Sequence, residues 1–244
     1  MFESRSDLPY QEMAYYYDLL YNNKDYKSEA AFIKELVLQH KKSSGNDLLD
    51  IACGTGSHLV HLKEHFNVTG TDISNEMLEI CKTKIPDIEL IQADMIDMRL
   101  NRQFDIITCL FSSIAYTKTL ENVKKTIQTF ESHLKPGGLV IIEPFLRPEI
   151  AVNGTPYMTT YDGPDIKVAR LNIADIRDSV YHIGFNFLVA KRDSPVKSFN
   201  SKHELGLFYP EDIVKIMKES NLEAFYQEKG FYQERGLFIG VKTL

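Results

Sequence analysis

The chain has 244 residues, of which 43% are hydrophobic and 25% charged, and its formal net charge at pH 7 is −6. These values are typical of one large globular domain or two small ones, and they exclude a disordered chain, a collagen-like chain and a disulfide-stabilised miniprotein. The negative charge disfavours long nucleic acids and anionic membrane surfaces as partners, because both need a basic protein surface.

The cysteines and the start of the chain indicate the compartment. Cys53, Cys81 and Cys109 form no CxxC pair, which favours reduced thiols over a zinc site or a disulfide framework. The first residues lack the apolar segment of a signal peptide, and no apolar run approaches the length of a membrane span. We therefore expect a cytoplasmic protein without a metal, either a monomer or a homodimer.

Strands and helices are predicted to alternate over the first 143 residues. The first helical stretch covers 11–42 and ends at the polar segment 43–46. The predicted strands are 48–52, 67–72, 88–92, 104–111 and 139–143, and the helices between them are 57–65, a helix that starts after Ser74 and ends before Pro86, and 120–134. This alternation predicts an α/β fold with a doubly wound, Rossmann-like sheet, whose strand 104–111 is buried on both faces.

The pattern changes after Pro144. Residues 155–208 show no helical period, and Phe185, Phe187 and Val189 alternate with Asn186 and Leu188, as in an antiparallel sheet with one apolar face. A helix is predicted at 210–219, and two closing strands at about 222–229 and 236–242. We predict a single domain over 1–244. Residues 1–42 form an N-terminal helical cap, and about 148–208 form an antiparallel β insertion that lies as a lid over the carboxyl edge of the sheet.

A glycine loop follows the first strand of the predicted sheet, in the segment Asp50-Ile51-Ala52-Cys53-Gly54-Thr55-Gly56. Such a loop lets the backbone approach a ligand beside the free N–H groups of the next helix. Asp72 ends the second strand, where an acid can accept both hydroxyls of a ribose. A dinucleotide site would have glycine or alanine in place of Leu59, and Asp50 would repel a phosphate but suit an ammonium group. A cofactor with an amino-acid end and an adenosine end, S-adenosylmethionine, therefore fits better than NAD.

The run DIACGTG, then Asp72, then Ala93-Asp94-Met95 after the third strand resembles the signature of class I SAM-dependent methyltransferases. The resemblance implies a seven-stranded sheet. It also implies that Asp94 faces the adenine amino group, with Ala93 and Met95 offering backbone and packing contacts.

A narrower resemblance covers nearly the whole chain. Its most particular segments are Lys24-Asp25-Tyr26, Phe111-Ser112-Ser113-Ile114-Ala115-Tyr116 and Arg235-Gly236-Leu237-Phe238-Ile239-Gly240, and these resemble bacterial nucleotide-sugar N,N-dimethyltransferases that act on 3-amino sugars. The resemblance implies that Tyr17 and Tyr26 contact the methionine end of the cofactor. It further implies that Tyr10 and Tyr116 flank the acceptor amine as catalytic residues, and that Arg235 faces the nucleotide diphosphate.

The predicted site residues form two sets. The cofactor set is Tyr17, Tyr26, Asp50, Ala52, Gly54, Gly56, His58, Leu59, Asp72, Ile73, Met77, Ala93, Asp94, Met95 and Leu110. The substrate set is Ser112, Ser113, Glu143, Phe145 and Arg235. Phe145 and Leu146 stand where the family members have two tryptophans, so the acceptor can be a different amine or sugar.

The reaction implied is an in-line displacement of methyl from a sulfonium by an amine. Alignment and exclusion of water dominate such a reaction, and a general base is helpful rather than obligatory. Two alternatives stay open: a methyltransferase for another small acceptor through oxygen, sulfur or a different amine, and a SAM-binding module without catalysis. The segment Leu110-Phe111-Ser112-Ser113 stands where adenine methylases carry a proline-rich box, which argues against methylation of nucleic acid.

Overall fold

The N-terminal region contains two helices in place of the single predicted one. The computed structural model describes residues 3–4, 10–232 and 235–244, without the side chains of 3–4 and 10–13. After the short strand β1 (Glu3–Ser4), helix α1 (Tyr10–Leu20) and helix α2 (Tyr26–His40) are separated by a turn. The prediction of one helix over 11–42 is therefore wrong. Its physical reason is Asp25, whose carboxylate accepts the backbone N–H of Ser28 at 2.9 Å and starts a new helix.

The remaining elements follow in chain order. The strands are β2 (Asp47–Ile51), β3 (Asn67–Asp72), β4 (Glu89–Gln92), β5 (Phe104–Cys109), β6 (Leu134–Ile142), β7 (Pro156–Asp162), β8 (Ile166–Arg177), β9 (Val180–Lys191), β10 (Lys197–Gly206), β11 (Leu222–Tyr232) and β12 (Arg235–Lys242). The helices are α3 (Leu59–Leu62), α4 (Asn75–Lys84), a 3-10 helix (Ser113–Thr117), α5 (Leu120–Ser132) and α6 (Pro210–Glu219). The predicted helix 57–65 is thus only four residues long, since the chain turns at 63–66 and buries Phe66.

Seven strands form the main sheet in the order β11-β12-β6-β5-β2-β3-β4. Strands β2 to β6 run parallel to one another. Strand β12 runs antiparallel to β6, and the edge strand β11, antiparallel to β12, again has the direction of β2 to β6. Helices α5 and α6 pack on one face through residues such as Phe130 and Met217, while α2 and α3 pack on the other through Leu36 and Leu62. The doubly wound α/β prediction is confirmed, and every residue of β5 is buried, as the apolar run predicted.

The second sheet has the order β1-β10-β9-β8-β7, with antiparallel pairing from β10 to β7. Its inner face packs against α1, where Phe187 and Phe199 contact Tyr16 and Leu20. Further along, the same face packs on Ala115 of the 3-10 helix. This sheet, α1 and the carboxyl end of the main sheet therefore enclose one common region. No helix in the described part of the chain is long and apolar enough to cross a membrane.

Candidate cofactor and acceptor site

The glycine loop after β2 has an open side and a closed side. Ala52, Gly54 and Gly56 all have positive φ, at 56°, 56° and 78°, a conformation that glycine adopts without strain. A Cβ added at Gly54 would meet no atom within 4 Å, whereas a Cβ at Gly56 would lie 2.3 Å from the sulfur of Cys81 on α4. The loop is therefore packed tightly against α4 at Gly56 and leaves room for a ligand at Gly54.

Asp72 is held at the end of β3 by two backbone donors. Its Oδ2 accepts the N–H of Gly54 at 2.8 Å, and its Oδ1 accepts the N–H of Ser74 at 2.9 Å. Burial raises the pKa of this carboxyl, and the backbone hydrogen bonds oppose the rise. Each oxygen keeps a lone pair, so the carboxylate can accept two further hydroxyl donors.

Asp50 is a buried acid with one neutral partner. Its Oδ1 accepts the hydroxyl of Thr108 at 2.7 Å, and only 2% of the residue is exposed. Burial raises the pKa of Asp50 to about 7, with the hydrogen bond from Thr108 opposing and the charge of Asp72 adding to the rise. No basic side chain in the described ranges forms an ion pair with it, so a cationic ligand group would be stabilised there.

Five residues of the predicted cofactor set follow β3 and β4, and three of them, Ala93, Asp94 and Met95, are those predicted to lie at the adenine. The N–H of Ala93 donates to the carbonyl of Asp72 at 3.0 Å, and Asp94 Oδ1 accepts the N–H of Ile96 at 2.9 Å. The side chain of Ile73 is 65% exposed beside Asp72. Met77, in the first turn of α4, and Met95 are half-buried.

Helix α1 is bound to the glycine loop through one carboxylate. Asp18 Oδ1 accepts the hydroxyl of Thr55 at 2.6 Å, and Asp18 Oδ2 pairs with Lys84 Nζ at 2.7 Å. One position earlier, Tyr17 packs against the rings of Tyr21 and Phe111, and burial raises its pKa well above the usual range. Tyr17 therefore lies between α1 and the carboxyl end of β5.

The start of α2 is tied to the same loop. His58 Nε2 is 2.6 Å from Glu29 Oε2, and the ring of Tyr26 packs edge-on against His58 at 4.8 Å. Although burial favours protonated Glu29, hydrogen bonds from His58 and Lys24 hold its pKa below the usual range. The ammonium of Lys24 also lies 4.7 to 6.0 Å from four aromatic rings, those of Tyr26, Phe111, Phe231 and Tyr232.

The segment after β5 is strained and held from three sides. Phe111 and Ser112 have φ values of 52° and 67°, which are unfavourable for side chains of this kind. Glu143 Oε2 accepts the N–H of Phe111 at 2.6 Å, Ser112 Oγ donates to the carbonyl of Pro144 at 2.9 Å, and Arg235 Nη1 donates to Ser112 Oγ at 3.0 Å.

Two groups beside this segment have unused binding capacity. Glu143 Oε1 is buried without a hydrogen-bond partner, and burial raises the pKa of Glu143 to about 7. The guanidinium of Arg235 lies 5.4 Å from the ring centroids of Phe145 and Tyr232, and no carboxylate within the described ranges forms an ion pair with it. Both groups can therefore bind a polar ligand.

The other predicted residues differ in how far their side chains are exposed to a ligand. The side chains of Leu59 and Leu110 lie in the hydrophobic core, so only their backbone groups can face a ligand. Ser113 is half-buried at the start of the 3-10 helix. The hydroxyl of Tyr116 is 2.8 Å from His203 Nδ1. The side chain of Tyr10 lies outside the described residues.

Two charged or polar residues of the second sheet were not in the predicted sets. Arg170 on β8 and His203 on β10 lie on the inner face of this sheet, near Tyr17 and Tyr116 respectively. The alternation of the strands marks the inner face, but it does not reveal which tyrosines of other elements lie opposite. Within the described ranges, no group of three or more His, Cys, Asp or Glu side chains could hold a metal ion.

Comparison with known proteins agrees with this geometry. Residues 48–138 match a family model described as a methyltransferase domain. The fold, the glycine loop and this match define a class I SAM-dependent methyltransferase. Over 92% of its length the chain is 35% identical to dTDP-3-amino-3,4,6-trideoxy-alpha-D-glucopyranose N,N-dimethyltransferase of Streptomyces venezuelae, and covers 95% of that enzyme. The chain belongs to this family of sugar N,N-dimethyltransferases.

Further relatives and solved structures support the assignment. The chain is 33% identical over 94% of its length to dTDP-3-amino-3,6-dideoxy-alpha-D-glucopyranose N,N-dimethyltransferase of Streptomyces fradiae, covering 91% of it. The crystal structure of Streptomyces venezuelae DesVI has a TM-score of 0.88 at 32% identity, covering 97% of this chain and 100% of DesVI. SAM-bound CalS10 of Micromonospora echinaspora has a TM-score of 0.83 at 25% identity, covering 98% of this chain and 100% of CalS10. The predicted cofactor, S-adenosylmethionine, is confirmed.

Proposed function

We propose that this methyltransferase acts on the amino group of a nucleotide-linked amino sugar. The observation that carries the proposal is the similarity, over more than nine-tenths of the chain, to two enzymes whose names specify dTDP-linked 3-amino sugars. The position of Arg235 supports it, because a guanidinium without a carboxylate partner suits the oxygens of a diphosphate.

The residues of the loop region fit the cofactor. Asp72 would accept the ribose hydroxyls with its free lone pairs, and Asp94 would accept from the adenine amino group. Asp50 would stabilise the ammonium, while Tyr17 and Tyr26 would contact the methionine end. When bound, S-adenosylmethionine supplies a methyl carbon that is already electrophilic because it is attached to a sulfonium. The open space at Gly54 is the place where the ligand can approach the backbone.

The protein's own contribution is alignment and exclusion of water. Tyr116, together with Tyr10, would flank the acceptor nitrogen and orient its lone pair. The N-terminal cap and the β insertion would close over the site as a lid. Correct alignment of this kind can supply about 7–11 kcal/mol of the barrier. Ser112, Ser113, Glu143 and Phe145 would contact the sugar.

The wall of the acceptor pocket sets the choice of sugar. Phe145 packs against Tyr181 at 5.5 Å and lies under the guanidinium of Arg235, at the position where the family resemblance places tryptophan. Phenylalanine fills less space, so we propose an acceptor that is bulkier there than the sugars of the two dTDP-sugar relatives. A cytoplasmic location, and a monomeric or homodimeric state, stay predictions.

The acceptor class can be tested by calorimetric titration with S-adenosylhomocysteine, followed by TDP. We expect both ligands to bind. We expect Arg235→Ala to lower the affinity for TDP by at least about tenfold, because charge-assisted hydrogen bonds are lost. Ser112→Ala is the matched control, because it removes the hydrogen bond from Arg235 but keeps the guanidinium. If S-adenosylhomocysteine binds but TDP does not, a thymidine-linked acceptor is ruled out, and the search turns to other amines and hydroxyls.

A further inference from the structure

Arg170 is a buried cation without an anionic partner. It lies in the middle of β8, and only 8% of its surface is exposed. Its Nη2 donates to two neutral hydroxyls, those of Tyr21 at 3.1 Å and Thr159 at 3.2 Å, while its Nε is buried without a partner. Across residues 10–232 and 235–244, no carboxylate forms an ion pair with it. A buried guanidinium in such a setting is unfavourable for folding, so its charge calls for a functional explanation.

The charge lies close to the polar pair at the proposed acceptor position. The guanidinium is 4.7 Å from the ring centroid of Phe185, which is in turn 5.2 Å from the ring of His203. His203 Nδ1 is 2.8 Å from the hydroxyl of Tyr116. A single aromatic ring therefore separates Arg170 from the His203–Tyr116 pair. Phe185 belongs to the apolar cluster beside Arg170 and supplies no countercharge.

The other charges around this region are largely compensated. From α1, Tyr17 presents a phenol whose pKa burial raises, Tyr21 follows directly after the helix, and the side chains of 10–13 are not described. Between α1 and α2, Lys24 is paired with Glu29. At the end of the main sheet, Glu143 carries only part of a charge near neutral pH, and Arg235 adds a second cation. Burial, followed by the charge of Arg170, lowers the pKa of His203.

We propose that Arg170 acts by its charge, which keeps the acceptor amine and His203 in their proton-free forms. The inference rests on the proposed function, since Tyr116 marks the acceptor position. A cation beside the pocket disfavours the acceptor ammonium, which therefore releases its proton to water. The freed nitrogen lone pair then forms the C–N bond as the C–S bond breaks and sulfur keeps the bonding electrons. The methylated ammonium afterwards loses its own proton to water, so the amine is neutral again.

The direct test is the pH dependence of kcat with a dTDP-linked 3-amino sugar as the acceptor, because kcat reports ionisations within the bound complex. We expect Arg170→Met to move the acidic midpoint upward by about one pH unit, and Arg170→Lys to restore it. Arg177→Met is the matched control, because it removes an exposed cation from the same strand. Its midpoint should equal that of the unchanged enzyme.

A second readout needs no acceptor. In the free enzyme, the pKa of His203, assigned by comparison with His203→Gln, should rise in Arg170→Met and not in Arg177→Met. If Arg170→Met fails to fold, Arg170→Gln takes its place. The proposal is overturned if His203 titrates unchanged. It is also overturned if the Arg170 variant loses TDP affinity by tenfold while the kcat midpoint stays in place, which would make Arg170 an anion-binding residue instead. Because the histidine readout uses the free enzyme, its outcome is independent of the acceptor's identity.

Discussion

At the scale of single residues, Asp72 is a carboxylate whose position the fold fixes, at the place where we propose that the ribose binds. Its two oxygens already accept backbone N–H groups from Gly54 and Ser74, which fixes the carboxylate at the mouth of the glycine loop. The remaining lone pairs are then directed without further reorganisation, as preorganised binding sites require. The same two bonds oppose the rise in pKa that burial causes, so they favour the charged form.

Substitution of Asp72 should therefore weaken the binding of S-adenosylhomocysteine, the product that the cofactor becomes. We expect Asp72→Ala to lower the affinity for S-adenosylhomocysteine by about 10- to 100-fold, since hydrogen bonds to a charged group contribute about 1.5–3 kcal/mol each. Calorimetric titration measures the change, and Asp97→Ala, an exposed acid just after β4, serves as the control. Unchanged affinity in Asp72→Ala would contradict the assignment of Asp72 to the ribose.

At the scale of elements, helix α1 is connected to the cofactor loop by a few polar contacts. Asp18 receives the hydroxyl of Thr55 and pairs with Lys84 of α4, so one carboxylate joins three segments. The apolar face of α1 packs instead on the second sheet. The helix therefore bridges the glycine loop and the β insertion.

This arrangement predicts that Asp18 affects ligand retention more than folding. We expect Asp18→Asn to lower S-adenosylhomocysteine affinity by about three- to tenfold, because the charge that orders the loop is lost. A double-mutant cycle with Lys84→Met separates the ion pair from the Thr55 contact. Wild-type affinity in Asp18→Asn would show that α1 does not stabilise the loop through this side chain.

The elements that the sequence predicted best have chemically marked ends. Strand β3 and helix α6 have the predicted bounds, and Ser74 caps α4 as expected, accepting the N–H of Met77 at 3.2 Å. The break between α1 and α2 was missed, because the four polar residues 22–25 were read as one exposed turn of a continuous helix, and a single Asp does not by its type identify a helix start. Contacts between distant elements could not be predicted at all. Local pattern carries no information on which tyrosine faces Arg170 or His203.

At the scale of the whole molecule, the site lowers the stability of the fold. Asp50 and Glu143 are buried carboxyls whose pKa values are raised to about 7, above their ordinary values of 3.8 and 4.5. The folded state then binds more protons than the unfolded state between about pH 4 and 7, so stability falls as pH rises through this window. From about pH 8 upward both carboxyls are ionised in the folded state as well, and the loss is constant.

Removal of one of these charges should therefore stabilise the free protein. We expect Asp50→Asn to raise the Tm at pH 8 by about 2–8 °C, since about 1 kcal/mol corresponds to 2–4 °C in a chain of this size. The gain should be smaller at pH 5, where the folded Asp50 is already protonated. Calorimetric scans at both pH values check the prediction, and S-adenosylhomocysteine affinity should fall in the same variant. A lower Tm at pH 8 would contradict the account of Asp50.

The hydrogen bond from Arg235 to Ser112 also limits how this enzyme can be redesigned. A protein engineer who replaces Arg235 to change the proposed recognition of the acceptor's nucleotide also removes a support from two residues held with positive φ. A change in acceptor preference at Arg235 is thus coupled to the order of the segment after β5. A second substitution that supports this segment must therefore accompany the replacement of Arg235. Evolution of the pocket faces the same constraint, so replacements at Phe145 and Leu146, which keep both partners of the hydrogen bond between Arg235 and Ser112, are the easier route to a new sugar.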